Sequence, residues 1–513
     1  MTVGPRPLPS GPAATESRAE VLGMARGGGV SLAGALFNQG MRFVITLLLA
    51  RLLGSDDVGL YFQAYAFLTL LDILALSGFK KGLTRYVAVH LAEQDRASLV
   101  GTVRLGLGVS CGAAVLLAVV LYAVADMVAV SGFGDPRFVF PLRVVAATLP
   151  ATVFTDAALA ATQGWRTMRP YALIGLVFEP ACRIVLTVVA LSAGWGLRGA
   201  MLALFATNVL AAMLAAGALL KRLRPNRSPP EYKHLRELFG FSSVSWVATL
   251  ASTGLVWLDT LLLGLFGTPD EVGVYQVATR LVLLATVFMQ PIGASFAPRV
   301  ADLHQRGRRD ALQHIYALAT SWILRMSLPA FIVLIVFPSE LLSFFGPRFT
   351  AGATVAVLLA IGQLFDVATG PCGHVLVMSG RPSLSMASNI FGLVLNVALN
   401  LWLIPAYGIV GAGIAWASSL AVINVMRVAL VWRELGLLPI ERGLLRAAPA
   451  VGAAACVALT TRWMIDGPFG LAVGACAVVA VYLVVIKALG ITAEDRLVLS
   501  MLRRRLKERS AAA

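Results

Sequence analysis

The feature that most constrains the fold is a run of about 18 largely apolar residues between Tyr61 and Lys80. A helix of this length crosses a bilayer core of roughly 30 Å. Two aspartates, Asp56 and Asp57, precede the run, and basic residues follow it. Because Lys and Arg are enriched in cytoplasmic loops, the run predicts a transmembrane helix whose basic end faces the cytoplasm.

The composition extends this prediction to the whole chain. Apolar residues make up 58% of the sequence, charged residues only 13%, and the mean hydropathy is +0.82. Soluble domains are about 25% charged, so we predict an all-α polytopic membrane protein. The net charge of +16 would favour nucleic acid as the partner of a soluble protein. Here the basic residues fall in short loops between apolar runs, which predicts contact with anionic membrane lipids and no nucleic acid.

The sequence contains an internal repeat at an offset of 214 residues. Segment 264–300 resembles the segment around the first run, with Gly273 aligned to Gly59 and Tyr275 to Tyr61. A second pair of segments, 194–203 and 406–415, aligns Gly196 with Gly408 at the slightly shorter offset of 212. The pattern predicts two parallel six-helix repeats related by an axis along the membrane normal.

We count about 14 transmembrane helices: six in each repeat and two further helices at the C-terminus. This count predicts six regions along the chain. They are a cytoplasmic N-terminal tail (1–27), an N-lobe with spans 1–6 (28–220), a basic cytoplasmic linker (221–238), a C-lobe with spans 7–12 (239–435), spans 13 and 14 (436–489), and a basic cytoplasmic tail (490–513).

The distribution of Lys and Arg predicts the orientation of the chain. With the N-terminus inside, 30 of the 42 Lys and Arg residues lie in cytoplasmic loops and tails, and 5 lie in outer loops. This asymmetry predicts a multi-pass protein of the cytoplasmic (inner) membrane with cytoplasmic N and C termini. Segment 496–510 is either a basic amphipathic helix on the inner leaflet or a solvated tail.

The first predicted span carries a polar stripe. Asn38, Arg42 and Thr46 are spaced by four residues, so they share one face of the helix. Charged residues at membrane depth normally face a protein interior or an aqueous cavity, and arginine binds phosphate groups by paired hydrogen bonds. These residues are therefore candidates for a substrate-binding cavity. The structural alternative pairs Arg42 with a carboxylate such as Asp72.

Other polar residues within predicted spans are further candidates. Arg280 and Gln276, one turn apart, form a second possible cavity site, whereas Asp259 is expected near the outer surface. Glu179 and Arg183 are spaced as an i,i+4 ion pair, and Arg325 could pair with Asp366. These pairs have either a structural or an ion-coupling role. Three further arginines near span ends are expected to snorkel to the membrane surface: Arg104, Arg143 and Arg427.

Motifs for soluble enzyme chemistry are not found in the sequence. The five cysteines fall in apolar segments without CxxC spacing, the five histidines have no ligand spacing, and no P-loop is present. We therefore predict a protein that is not an enzyme and has no metal and no cofactor.

Two stretches of sequence resemble a known family. They read LLGSDDVGLYFQAYAFLTLLDILALSGFKKGLTRYVA, beginning at Leu52, and MSGRPSLSMASNIFGLVLNVALNLWLIPAYGIVGAGIAWA, beginning at Met378. With GTPDEVGVYQVATR between them, they resemble the polysaccharide exporters and O-antigen-type flippases of the multidrug/oligosaccharidyl-lipid/polysaccharide superfamily. The resemblance implies two six-helix lobes in a V around a central cavity, and transport by alternating access. It further implies that cationic cavity residues, here Arg42 and, less directly, Arg280, contact a lipid-linked diphosphate sugar.

The expected function is translocation of polyprenyl-diphosphate-linked oligosaccharide for cell-surface polysaccharide synthesis, with polysaccharide polymerase machinery as a partner. Three alternatives stay open: a lipid II flippase, an ion-coupled drug or cation antiporter, and a membrane scaffold without transport activity. The antiporter hypothesis requires Asp259 or Asp366. The resemblance implies that antiporters of the superfamily carry an acidic residue of their ion site in the first span. The antiporter hypothesis is disfavoured because the first span here carries Arg42 and lacks a carboxylate.

Overall fold

The computed structural model describes residues 36–223, 229–439 and 448–489. The predicted N-terminal and C-terminal tails (1–27 and 490–513) and residues 224–228 of the predicted linker lie outside the described residues. Every regular element in the described part is helical. Eleven of these helices are long and apolar enough to cross a membrane, or twelve if one bent pair counts as a single span. The all-helical membrane fold expected from composition is confirmed.

The N-terminal half of the described chain contains the first seven helices. They are α1 (Leu36–Leu53), α2 (Ser55–Leu76), α3 (Phe79–Ala92), α4 (Arg96–Asp126, continued by a π-helical turn Met127–Gly132), α5 (Val139–Gly164, preceded by a 3₁₀ turn Pro136–Phe138), α6 (Glu179–Ser192, preceded by the π-helical stretch Tyr171–Phe178) and α7 (Gly196–Leu223). We call Tyr171–Ser192, which is long and apolar enough to cross the membrane as one unit, span five.

The remaining helices form the C-terminal half and a terminal hairpin. They are α8 (Leu235–Phe266), α9 (Pro269–Leu284), α10 (Met289–Gln305), α11 (Arg309–Val336), α12 (Pro338–Ser343), α13 (Ala353–Thr369, preceded by a 3₁₀ turn Pro347–Gly352), α14 (Cys372–Met378), α15 (Pro382–Leu435), α16 (Ala448–Met464) and α17 (Gly467–Leu489).

The expected count of 14 spans is not confirmed, and its difference from eleven or twelve has three structural sources. Helices α9 and α10 meet at a 53° bend. Helix α15 is 54 residues long and contains a non-helical break at Gly408, so one element covers two predicted spans. The described part of α16 is 17 residues long, at the lower limit for crossing a bilayer, and residues 440–447 directly before it lie outside the described residues.

The break in α15 shows the internal repeat in the backbone itself. Gly408 has φ 55° there, and Gly196, its partner in the sequence repeat, has φ 53° where α7 begins. Side chains with a Cβ rarely adopt this left-handed region, whereas glycine adopts it freely. The same glycine-dependent turn therefore begins the sixth helix of each repeat.

The two halves meet where α2 crosses α9, at the repeated glycines. A Cβ atom added to Gly59 would overlap the carbonyl oxygen of Pro269, and one added to Gly273 would overlap that of Ser55. The Ser55 hydroxyl donates a hydrogen bond to the Asp270 carboxylate beside this crossing. Glycine removes the side chain from the contact and so lets the helix backbones approach closely. Equivalent positions of the repeat thus contact each other, as they do around a two-fold axis.

The opposite end of α2 also packs against the C-terminal half. A Cβ atom at Gly78 would overlap the carbonyl oxygen of Ser242 on α8. The indole N–H of Trp246 donates to the carbonyl oxygen of Ile73 at 3.0 Å, and the rings of Phe79 and Phe239 meet edge to face at 5.3 Å. Helix α2 therefore contacts the C-terminal half near both of its ends.

The terminal hairpin of α16 and α17 packs against α11 and the residue that follows it. Gly474 lies against the ring of Phe337, and the Tyr482 hydroxyl donates to the carbonyl oxygen of Arg325 at 3.0 Å. The Arg462 guanidinium donates to the carbonyl oxygen of Val336 and lies 3.8 Å from the Glu340 carboxylate. The hairpin thus extends the C-terminal half and does not take part in the α2–α9 crossing.

The glycine crossing predicts a position-specific cost for a single methyl group. Gly59→Ala should lower the stability of the protein by about 1–3 kcal/mol, because the added Cβ overlaps the backbone of α9. Gly108→Ala on α4 is the matched control, because a Cβ there has no atom within 4 Å. Thermal unfolding of the purified variants in one detergent measures the difference. Equal stability of the two variants would contradict the close crossing.

Candidate functional site

A cavity of about 290 Å³ lies in the N-terminal half, facing α9. Helices α1, α2, α5 and span five form its walls, and α3 contributes Lys80. The side chain of Arg280 enters the same cavity from α9, so both halves of the chain contribute to its lining. The cavity lies beside the crossing of α2 and α9, which brings the two halves together.

The polar stripe of α1 lines this cavity. Asn38, Arg42 and Thr46 all lie on its wall, and the Thr46 hydroxyl donates to the carbonyl oxygen of Arg42 at 2.9 Å, within the helix. The Arg42 side chain is exposed toward the cavity. It forms no ion pair with Asp72 or with any other described residue. Arg42 is therefore positioned to meet an anion that enters the cavity.

Arg280 reaches the cavity across an aromatic surface. Its guanidinium carbon lies 4.9 Å from the ring centre of Trp257 and 5.6 Å from that of Phe62. Cation–π contacts of this kind attract a guanidinium to the faces of the rings, while its N–H donors stay available at the edge. Trp257 lies on α8 and Phe62 on α2, so residues from both halves of the chain hold Arg280 in place.

The charged side chains around the cavity carry a net positive charge. Four are cationic and two are anionic: Arg42, Lys80, Arg183, Arg280, Asp156 and Glu179. Lys80 pairs with Asp156, and Arg183 pairs with Glu179 at 2.5 Å, as the i,i+4 spacing suggests. Arg42 and Arg280 form no ion pair with a described residue, although both line this cavity. Two like charges that share a cavity repel each other, and an anion bound between them would relieve this repulsion.

Two of the candidate residues lie away from the cavity. The Gln276 side chain is buried between α9 and α8, where its amide donates to the Thr260 hydroxyl. Asp259 is buried as well, although a position near the outer surface was expected. Its carboxylate accepts hydrogen bonds from the Tyr275 hydroxyl and from the backbone N–H of Thr260, the latter at 2.8 Å. These contacts join α8 to α9 inside the C-terminal half.

The two copies of the repeat differ in the surroundings of their equivalent tyrosines, Tyr61 and Tyr275. Both side chains are buried, but Tyr61 on α2 lines the cavity, whereas Tyr275, its equivalent on α9, donates a hydrogen bond to Asp259 and does not line the cavity. The residue that corresponds to Asp259 at the offset of 214 is Ile45 on α1. The N-terminal repeat thus retains an open polar cavity where the C-terminal repeat has a closed hydrogen-bonded contact.

The remaining candidates lie in separate places. Asp72 is buried on α2, and one of its carboxylate oxygens has no hydrogen-bond partner. The Asp366 carboxylate accepts a hydrogen bond from the Asn424 amide at 2.9 Å. The backbone carbonyl of Arg325 accepts from Tyr482, as described above.

Arg427 donates to the side chains of Ser388 and Asn389 within α15. It therefore binds protein groups, whereas snorkelling to the membrane surface was expected.

Sequence reasoning missed several residues of the cavity wall. The sequence predicts Lys80 at the cytoplasmic end of a transmembrane helix, and Asp156, within the predicted N-lobe (28–220), is not among the predicted site residues. A carboxylate inside an apolar span is itself a signal of an interior position, so Asp156 could have been found. Its partner Lys80, 76 positions away on another helix, could not have been identified from spacing. The aromatic residues Tyr65 and Tyr171 on the cavity wall also lack a distinguishing sequence pattern.

The fold and the cavity together define a class: a multi-pass membrane transporter built from two six-helix repeats. Comparison with known proteins agrees. The structure matches a solved structure of the lipid II flippase MurJ in an inward closed conformation with a TM-score of 0.71, covering 89% of this chain and 97% of that one at 14% identity. At this identity the match shows the fold.

The sequence comparison gives the family. The profile described as "Polysaccharide biosynthesis protein" matches residues 24–304, more than half of the chain, and the profile described as MatE matches residues 245–402. The chain belongs to the polysaccharide biosynthesis protein family. The resemblance inferred from the motifs is confirmed.

Curated relatives carry flippase names. The chain is 24% identical to the probable low-salt glycan biosynthesis flippase Agl15 of Haloferax volcanii, over 76% of this chain and 80% of that protein. It is 23% identical to the lipid III flippase of Escherichia coli K12, over 78% of this chain and 97% of that protein. The similarity spans most of the length of both relatives.

The different surroundings of Tyr61 and Tyr275 predict that the same substitution, Tyr to Phe, changes the stability of the protein differently at the two positions. Tyr275→Phe should destabilise the protein by about 1–3 kcal/mol, because the buried Asp259 carboxylate loses a donor. Tyr61→Phe at the equivalent position should have little effect on stability, because Tyr61 lines the cavity and no buried carboxylate depends on its hydroxyl. Thermal unfolding of both variants in the same detergent measures the contrast. A Tyr61→Phe variant as unstable as Tyr275→Phe would show that the two repeats are equivalent at this position.

Proposed function

We propose that this protein is a flippase that moves polyprenyl-diphosphate-linked oligosaccharide across the cytoplasmic membrane for cell-surface polysaccharide synthesis. The observation that carries the proposal is the pair of arginines, Arg42 and Arg280, that face one cavity without a carboxylate partner among the described residues. Family membership and the flippase relatives support the same function. The protein is a transporter in this proposal, with no catalytic step.

A diphosphate is the ligand chemistry that best fits the two arginines. Each guanidinium donates paired hydrogen bonds in a planar geometry that matches phosphate oxygens. Arg42 belongs to the N-terminal half and Arg280 to the C-terminal half, so a diphosphate bound to both connects the halves. Asn38 and Thr46 add neutral polar groups on the α1 side. We assign the lipid-linked diphosphate to the space between Arg42 and Arg280.

Alternating access would operate at the two ends of α2. At one end the halves meet through Gly59 and Gly273, and Arg348 lies 3.5 Å from Asp56 and 3.7 Å from Asp270. At the other end they meet through Gly78, Phe79 and α8. The contact at the first end consists of glycines and exposed ion pairs, and exposed ion pairs contribute little free energy each. The contact at the second end includes the edge-to-face rings of Phe79 and Phe239. Separating one end at a time would open the cavity to one side of the membrane.

The acidic residues of the C-terminal half favour a flippase over an ion-coupled antiporter. Both carboxylates proposed for coupling are bonded inside the C-terminal half, Asp259 to Tyr275 and Asp366 to Asn424. Neither lines the cavity that contains Arg42. The MatE match at residues 245–402 reflects the fold that antiporters and flippases share. Asn at both positions with normal transport would exclude the antiporter hypothesis.

The partners in this proposal are the lipid-linked oligosaccharide, anionic membrane lipids at the basic linker and tail, and the polysaccharide polymerase that uses the translocated product. A lipid II flippase stays the alternative substrate assignment within the same fold. The identity of the saccharide that accumulates when the protein is absent distinguishes the two.

The proposal predicts a transport defect from loss of one cavity arginine. Arg42→Ala should abolish flipping, so that lipid-linked saccharide accumulates on the cytoplasmic face of cells that carry only this variant. Loss of paired charged hydrogen bonds costs about 1.5–3 kcal/mol, which is about a tenfold to hundredfold loss of affinity. Mass spectrometry of the extracted lipids, with a membrane-impermeant probe for sidedness, measures the accumulation and identifies the saccharide.

Arg104→Ala is the matched control, since Arg104 is an exposed arginine on α4 outside the cavity lining. It should restore transport in the deletion strain as wild type does. Full transport by Arg42→Ala at normal protein levels would contradict the assignment of the cavity arginines.

The proposed orientation predicts the location of both termini. Green fluorescent protein fused to the C-terminus should fluoresce, and alkaline phosphatase fused there should be inactive, because 30 of the 42 basic residues lie on the side assigned to the cytoplasm. A phosphatase fused in the short connection between α1 and α2 should be active and serves as the opposite control. An active C-terminal phosphatase fusion would reverse the topology.

A further inference from the structure

Span five begins with an unusual stretch of helix on the cavity wall. Residues Tyr171–Phe178 adopt a π-helical geometry over eight residues, and regular α-helix resumes at Glu179. Tyr171, Gly175 and Pro180 from this region all line the cavity. Such π-helical segments are rare and occur frequently at functional sites.

The hydrogen bonding of this stretch leaves one carbonyl group without a helical partner. The backbone N–H of Glu179 donates to the carbonyl oxygen of Ile174. The next amide along the helix would serve the carbonyl of Gly175, but that position is Pro180, which has no N–H. Gly175 lines the cavity, so its carbonyl belongs to a backbone segment of the cavity wall and is an acceptor that no helical N–H covers.

Further hydrogen-bonding groups line the same cavity. Asp156 lines the cavity from α5, and its side chain stays 30% exposed despite the ion pair with Lys80. The ring of Tyr171 lies next to Gly175. The wall formed by span five and α5 thus carries both carboxylates of the cavity, each paired with a cation, and the Gly175 carbonyl. Arg42 and Arg280, by contrast, present donors without a carboxylate partner among the described residues.

We propose that the Gly175 carbonyl, Asp156 and Tyr171 form a saccharide subsite that binds hydroxyl groups of the sugar attached to the diphosphate. The subsite rests on the proposed flippase function and extends it. Sugar hydroxyls donate to carbonyl and carboxylate oxygens, and a sugar ring packs against an aromatic face. Pro180 has the role of a positioning residue, because it leaves the carbonyl of Gly175 uncovered.

Other ligands fit this wall less well. A phosphate group would meet the carbonyl and carboxylate oxygens, which repel it. A metal cation would lie among Lys80, Arg42 and Arg183, and no group of three His, Cys, Asp or Glu side chains in the described part of the chain is arranged to hold one. A neutral ligand with several hydroxyl donors satisfies the acceptors without adding charge.

The test compares two lipids on the purified full-length protein in nanodiscs. The probes are polyprenyl diphosphate and the same lipid carrying one N-acetylhexosamine. Wild type should bind the sugar-carrying lipid about tenfold more tightly, which corresponds to two or three additional net hydrogen bonds. Pro180→Ala restores the missing N–H and should reduce this preference about fivefold. Affinity for the bare diphosphate should stay unchanged.

Two further variants complete the design. Asp156→Asn should also reduce the preference for the sugar-carrying lipid. Pro329→Ala, which removes a proline from within α11 away from the cavity, should keep the full preference and controls for a general effect of proline removal. Size-exclusion chromatography verifies that each variant is folded.

The outcomes separate this inference from the proposed function. If Arg42→Ala weakens both lipids while Pro180→Ala and Asp156→Asn leave the sugar preference intact, the flippase proposal stands and the saccharide subsite is wrong. If Arg42→Ala weakens neither lipid, the diphosphate assignment fails, and the subsite that rests on it fails as well. Loss of the preference in Pro329→Ala would also overturn the subsite.

Discussion

The close crossing of α2 and α9 at Gly59 and Gly273 is the contact on which the rest of the structure depends. Both glycines occupy the same position of the repeat, so one sequence feature supplies both sides of the contact. Without side chains the two backbones approach closely, and this brings the C-terminal half against the open side of the N-terminal half. As a result Arg280 on α9 reaches the aromatic residues beside the cavity and enters its wall.

The repeat explains the architecture, and the differences between its copies explain the site. At the position of the paired tyrosines, Asp259 closes the C-terminal copy by binding Tyr275, while the N-terminal copy has Ile45 in place of the aspartate and keeps Tyr61 at an open cavity. One copy is thereby stabilised by buried hydrogen bonds, and the other is left with polar groups free to bind a ligand. A duplicated bundle can specialise in this way without a change of fold, because a few substitutions exchange internal contacts for exposed ones.

Much of the fold and part of the site follow from the sequence. Apolar length and the repeat predict the helical membrane architecture. The four-residue spacing places Asn38, Arg42 and Thr46 on one face, as helix geometry requires. The same four-residue spacing places Gln276 and Arg280 on one face of α9, but only Arg280 reaches the cavity. Both point toward α8, where the shorter Gln276 side chain bonds to Thr260 and the longer arginine extends past Trp257 into the cavity. Helix counting falls short where α15 joins two spans and where α9 bends into α10, because hydropathy does not report bends.

The sequence by itself determined the class of fold, the duplication and the presence of cations at membrane depth, because these depend on composition and on spacing within single helices. Only the tertiary structure decided which cations stay unpaired and which acceptors stay uncovered. Lys80 and Asp156 neutralise each other across 76 residues of sequence, and Arg42 and Arg280 come from opposite halves of the chain. Such combinations depend on how helices pack, and contacts between distant helices leave no periodic signal in a single sequence.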